Sequence, residues 1–195
     1  MPWSEDHKEA TRERIIGAAA SAIREHGPDG VSVAAIMKSA GLTHGGFYAH
    51  FASKEALIAE AITRARAETF AYLEGTAVGA GGEPPELEDI ADAYLSIKHW
   101  EHPERGCVLA ACGAELARAQ DQVSASCGEN VHDYVRWLRR HSRASQSRER
   151  TREATGALAA MVGGMILARA ADDAEEAGRI LAAVRSFVRR GLKED

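Results

Sequence analysis

Thr43, His44, Tyr48, His50 and Lys54 fall in one short stretch, set around the adjacent pair Gly45-Gly46. A hydroxyl, two imidazoles, a phenol and an ammonium are groups that hydrogen-bond or neutralise phosphates and reach base edges. They do not make a nucleophile with its base and orienting acid, here or elsewhere in the chain. No glycine loop follows a strand to cradle a phosphate, so no catalytic residue is assigned and the chemistry is that of binding. Each glycine costs a helix roughly 1 kcal/mol relative to alanine. A short helix keeps two of them where a bulky partner, such as the floor of a DNA groove, must come close.

These groups need two short helices to hold them. Ser32 reads as the N-cap of the first, with Ala35, Ile36 and Ala40 facing inward and Gly41 ending it. Thr43 reads as the cap of the second, which runs to about Phe51. Two short helices joined by Gly41-Leu42 fit a helix-turn-helix, whose second helix enters the major groove by its N-terminal end. A plain αα-hairpin with solvent-facing polar residues fits the same spacing. Ahead of the pair, a long helix over about Glu5–His26 places Ile15, Ala19, Ala22, Ile23 and His26 on one face, and Gly27-Pro28-Asp29-Gly30 stops it. Behind it, Ser53 caps a helix running to about Leu73, with no single clean stripe.

The chain has 195 residues, 45% hydrophobic but only 6% aromatic, so its core is aliphatic and alanine-built. No period-two strand run stands between turn signals, and an all-α fold is expected. The net charge is −5, and residues 1–55 hold six bases against seven acids, a local −1. Phosphate binding must then rest on a few placed cations and on helix N-termini. The first eight residues lack an apolar core for a secretory signal, and no 18-residue apolar run predicts a membrane span. With Cys107, Cys112 and Cys127 unpaired in number, reduced thiols and a cytoplasmic location are expected. His99, His102 and Cys107 lie close in sequence, but Pro103 interrupts the geometry; no metal site and no cofactor are assigned.

Gly75–Pro85 reads as a flexible link. Five helices are expected beyond it, over about 86–101, 107–119, 121–143, 146–171 and 174–192, making about nine in all. The third carries Val123, Cys127, Val131, Tyr134, Val135 and Leu138 as one stripe. Asp173 caps the last, with Glu176 at the capping-box position. Tyr94, Trp100, Cys107, Ala111, Tyr134, Trp137, Met161 and Met165 are the candidates for lining an apolar ligand pocket, and all also suit plain core. The broad apolar stripes of the last two helices are candidates for a dimer interface, through Met161, Val162, Gly163, Met165, Ile166, Ile180, Leu181, Val184, Phe187 and Val188. Burial inside one chain is the alternative for these. The arginine-rich run 136–152 reads as a solvated helix end.

The run Gly41-Leu42-Thr43-His44-Gly45-Gly46-Phe47-Tyr48-Ala49-His50-Phe51-Ala52-Ser53-Lys54-Glu55-Ala56-Leu57 resembles the signature of TetR/AcrR-type transcriptional repressors. Upstream, Thr11-Arg12-Glu13-Arg14-Ile15-Ile16-Gly17-Ala18-Ala19 and Gly27-Pro28-Asp29-Gly30-Val31-Ser32-Val33 are similar in order and spacing, as is the later run Gly106-Cys107-Val108-Leu109-Ala110-Ala111. The resemblance is strong over about residues 8–58; beyond, helix count and length agree.

The resemblance implies an N-terminal three-helix DNA-binding domain, residues 1–54, within a TetR-type region of about 9–69 whose reading motif is 32–51. It implies a helical ligand-binding and dimerisation domain over 55–195. Thr43, His44, Gly45 and Gly46 fall at the base-reading end, and Ser32, Tyr48, His50 and Lys54 where phosphates are met. Many members carry lysine or arginine at the position of His44. The implied function is a homodimeric repressor, not an enzyme. It would be released from a palindromic double-stranded operator by a small, largely apolar molecule. A cysteine-based redox switch, or a helical enzyme or carrier with a vestigial helix-turn-helix, stays open at this point.

Overall fold

The computed structural model describes residues 5–78, 82–119 and 121–192, and all regular structure among them is helical. Residues 1–4, at the start read for a secretory signal, and 79–81, within the expected link, lie outside the described residues.

The first helix, α1, spans Glu5–His26 and buries Ile15, Ile16, Ala19, Ala20 and Ile23. His26 is exposed and Ala22 half-buried, while Ile16, Ala20 and Arg24 are buried, so the buried face is turned from the one the sequence spacing predicts. Gly27 follows with φ +71°, a left-handed stop that glycine takes at little cost. A Cβ there would also come within 2.2 Å of Glu115 Oε2, so the end of α1 is pressed against a later helix.

Helix α2, Val33–Ser39, starts at Ser32, whose hydroxyl accepts from Ala35 N–H at 3.2 Å. Ile36 and Met37 are its buried residues, while Ala35 is exposed and Ala40 half-buried, against the expectation for those two. The next element corrects the sequence reading. His44–Ala49 is a 3-10 helix rather than an α-helix, and Thr43 makes no side-chain cap. Gly46 N–H reaches only as far as Thr43 O, at 3.2 Å, the i→i+3 bond of the tighter coil.

Helix α3, Lys54–Ala77, begins at Ser53, whose hydroxyl accepts from Ala56 N–H at 3.1 Å. It runs four residues beyond the expected end and takes in Gly75, Thr76 and Ala77 of the supposed link. It is the element common to both halves, packing on α1 on one side and on the later helix α7 (Asp121–Leu138) on the other.

The single helix expected over 86–101 is two: α4, Leu87–Tyr94, and α5, Ile97–Trp100. Ser96 breaks it. Its hydroxyl donates to Ala93 O at 2.8 Å and accepts from His99 N–H at 3.2 Å, closing one helix and opening the next. A 3-10 turn, Pro103–Arg105, leads to α6, Val108–Arg118, which is distorted at Cys112. Helix α7 stops at Leu138 rather than near Arg143, and Val131 of its predicted stripe is 40% exposed. Helices α8, Ser147–Arg169, and α9, Ala174–Gly191, pack closely together. Gly164 permits this: a Cβ there would meet Val184 Cγ1 at 2.9 Å. Asp173 caps α9 by accepting from Glu176 N–H at 2.8 Å, and the Glu176 carboxylate accepts in turn from Asp172 N–H at 3.2 Å.

Candidate nucleic-acid interface

Phe47 and Phe51 anchor the reading segment. Both are buried, with ring centroids 5.7 Å apart and nearly parallel planes. Arg12 lies over the Phe51 ring at 4.7 Å and pairs with Glu60 at 2.5 Å, which fixes α1 to α3 beneath the segment. On this apolar floor Thr43, His44, Gly45 and Tyr48 face solvent, Tyr48 at 72% exposure, while Gly46, His50 and Lys54 are half-buried. A phenol that exposed, with its ring edge on Phe47 at 5.2 Å, is held by packing on one side and presented on the other.

Ser32 and Ser53 each accept a backbone N–H; the Ser32 hydroxyl proton remains available to donate to an outside acceptor, while that of Ser53 serves Glu55. Both stand at helix N-termini, where the backbone dipoles favour an anion. The helix end at Ser53 already acts on a carboxylate: backbone and Ser53 hydrogen bonds hold Glu55 below its ordinary range.

The arginines of α1 are mostly spent inside the molecule, Arg12 on Glu60 and Arg24 on Glu68. Lys8, Arg14, Lys38 and Lys54 make no ion pair among the described residues. Lys8 and Arg14 line a cleft of 640 Å³ that runs beside the reading segment, with Thr11 opposite Gly46 and His50. The sequence spacing within residues 32–54 did not single out Lys8 and Arg14, because only the fold brings α1 alongside that segment. Burial lowers the His50 pKa, with Lys8 and Arg12 adding to the effect, so its ring is neutral at neutral pH.

The C-terminal candidates divide. Tyr94, Cys107 and Tyr134 come together in one buried cluster; the two hydroxyls lie near the thiol without reaching hydrogen-bond geometry. Trp137 is core, stacked on Phe70 at 4.2 Å and donating to Glu74 at 2.6 Å. Trp100 donates to Ala168 O at 2.9 Å, Ala111 is half-buried, and Met161 and Met165 are buried. Of the interface candidates, Met161, Met165, Leu181 and Val188 are consumed inside the chain, whereas Ile166 and Phe187 are 47% and 63% exposed. Val162, Gly163, Ile180 and Val184 are half-buried, and Leu167, which the stripes missed, is 59% exposed.

His99 cannot serve a metal. Its Nδ1 donates to Tyr94 O at 2.7 Å and its Nε2 accepts from Cys107 N–H at 3.1 Å, so both nitrogens are taken. Burial pushes the Cys112 thiol up to about 12 and raises that of Cys127, which leaves both as inert thiols near neutral pH. In the arginine-rich run, Arg136, Arg143 and Arg152 pair with Asp133, Glu86 and Glu149, as a solvated helix end does.

Residues 15–61 match the model of the bacterial regulatory proteins of the tetR family. Among solved structures, the TetR-family transcriptional regulator from Cytophaga hutchinsonii is similar at TM-score 0.75 and 18% identity, over 97% of each chain. A TetR regulator from Chloroflexus aurantiacus gives 0.73 and 22%, over 97% of this chain and 98% of that one. The reduced form of E. coli NemR gives 0.72 and 19%, over 93% and 96%. These likenesses establish a shared fold. No curated protein matches the chain by sequence. Members of the family are regulators rather than enzymes. Residues 15–61 thus match that family's module, and the all-helical fold of these structures extends over nearly the whole length of the chain.

Proposed function

We propose that the protein is a repressor that binds a palindromic operator as a homodimer and leaves it when a small molecule fills the C-terminal domain. Ser32, Thr43, His44, Gly45, Gly46, Tyr48, His50 and Lys54 meet the duplex, with Lys8 and Arg14 adding phosphate contacts from α1. Residues 1–54 form the reading head and 55–195 the ligand and dimer domain, with α3 common to both. The exposed large side chains Ile166, Leu167 and Phe187 of α8 and α9, with the small residues Gly156, Ala160 and Gly163 on α8, support a two-fold interface there. Four such helices, two from each copy, close a bundle. The cytoplasm, where the operator lies, is its place of action.

The observation that carries ligand control is Arg24. This α1 residue, 5% exposed, reaches out of the head into the C-terminal domain. Its guanidinium donates to Gly106 O at 3.4 Å, to Ala65 O at 3.5 Å and to Glu68 at 2.6 Å. Thr69 also donates to Gly106 O, at 3.2 Å. Movement of the 103–107 segment is therefore felt by the head directly. A ligand that prefers one placement of this segment shifts the spacing of the two heads by its differential affinity.

Gel shift with the DNA upstream of the protein's own gene tests the proposal. Folded, dimeric protein should retard it at low salt, and no retardation would overturn operator binding. Tyr48→Ala should weaken retardation at least tenfold while leaving the fold intact; unchanged binding would remove the reading segment from the interface.

A further inference from the structure

A second cleft, of 290 Å³, opens on the C-terminal domain and is lined by Tyr72, Lys98, His99, His102 and Arg105. Its lining is cationic or hydrogen-bonding, with no carboxylate among those residues. Lys98 stands 5.8 Å from the centre of the Tyr72 ring and makes no ion pair among the described residues. Glu104, an acid beside the cleft, is engaged by His102 at 3.3 Å and Arg105 at 3.6 Å.

Behind His99 lies an unspent guanidinium. Arg169 Nη2 and His99 Nε2 crowd the same side of Gly106, 2.9 and 2.8 Å from the point a Cβ would occupy there. Arg169 Nε and Nη2 are buried and find no hydrogen-bond partner, and no carboxylate pairs with the side chain among the described residues. Two more buried donors nearby are idle: the hydroxyls of Tyr72 and of Tyr94, the latter wholly buried and packed edge-on to His99 at 4.5 Å. Buried polar groups are almost always satisfied, and a buried cation is costly without an anion. Several idle donors and one unpaired cation, buried behind the His99 wall of this cleft, are what an oxyanion requires.

We propose that this cleft is the site at which the regulator takes its small-molecule effector, and that the effector carries a carboxylate or phosphate whose counter-ion is Arg169. Tyr72 donates a hydrogen bond to the same group, and Lys98 and Arg105 draw it in from solvent. The role as effector site rests on ligand control as proposed above. The occupant differs from the largely apolar molecule expected from the sequence in carrying a negative charge. The group it engages abuts Gly106, whose carbonyl Arg24 holds, so occupancy acts on the bond that ties the head to the C-terminal domain.

Calorimetric titration of the full-length protein tests the site with benzoate, with inorganic phosphate and with benzamide, a neutral match for benzoate, all at constant ionic strength. At least one anion should bind saturably and benzamide at least tenfold more weakly. Arg169→Gln should lose that preference. Lys98→Gln, a surface change that leaves the fold alone, should weaken the anion two- to fivefold. Preference for benzoate identifies a carboxylate and preference for phosphate a phosphate. No binding by either anion, or equal binding of benzamide, would overturn the site. An anion that binds yet leaves operator retardation unchanged would keep the site and overturn its role in DNA release.

Discussion

His99 should make the stability of the protein depend on pH in a window set by its burial. It lies 2% exposed between the end of α4 and the start of α6. Tyr94 O is an orphan carbonyl at one helix end and Cys107 N–H an orphan donor at the other, and the neutral ring satisfies both. Protonation would turn Nε2 into a donor facing the Cys107 N–H and would place a charge beside Arg169. Burial, the largest cause, with Arg169 adding to it, lowers the pKa from 6.5 to about 4. The unfolded chain thus takes up a proton between these values that the folded one refuses. The stabilisation is complete above pH 6.5, declines as pH falls to about 4, and is flat below. Its full size is about 3 kcal/mol, from the shift at 1.36 kcal/mol per unit. Urea unfolding of the wild type and of His99→Gln at several pH values checks this. The variant should be less stable at pH 7.5 and should lack the wild type's added slope between 6.5 and 4.5, so the two curves converge on acidification. Parallel curves, or an imidazole resonance of His99 titrating near 6.5, would refute the reasoning.

Gly45→Ala separates folding from recognition. The site has negative φ and open space for a Cβ, so stability should hold or rise by up to about 1 kcal/mol, whereas operator affinity should fall at least tenfold in gel shift; unchanged affinity would mean that no partner approaches that backbone. Arg24→Met should cost about 1–3 kcal/mol in urea unfolding, less than the ~3–5 of a broken buried pair, because Glu68 keeps Arg64 at 2.7 Å and Gly106 O keeps Thr69. Phe187→Glu, on the exposed face of α9, should give a folded monomer by light scattering with lowered operator affinity; a persistent dimer would place the interface elsewhere.

Helix limits were legible wherever a local device sets them. Ser32, Ser53 and Asp173 cap as their types predict, and Gly27 and Gly41 stop α1 and α2 in left-handed conformations. Where two local devices compete, sequence spacing misleads. The Gly45-Gly46 pair lets the reading segment tighten into a 3-10 coil, and Ser96 splits a helix that apolar periodicity alone would carry through. The candidate reading residues could be named from the sequence because one continuous stretch carries them. The anion cleft was not, because Tyr72, His99, Arg105 and Arg169 come from four separate segments. Arg169 in sequence is an ordinary last-turn cation of a helix, and only packing shows that it lacks a partner.

The energies at Gly106 bear on how control can work. Moving a regulator from one per cent released to ninety-nine takes a differential of about 5.5 kcal/mol. The Arg24 contacts supply roughly 1–3 of this, since two of the three are long and only the Glu68 bond is short and charge-assisted. Loss of that junction alone would shift the heads only partly. The remainder must come from an effector that binds one arrangement of the 103–107 segment better than the other. An anion satisfying Arg169 is suited to this, because the cation it neutralises and the backbone it displaces meet at one residue. Thr69 holds the same carbonyl from α3, the helix that packs on both α1 and α7. Displacing Gly106 therefore strains α1 and α3 together, and these two helices carry the reading head.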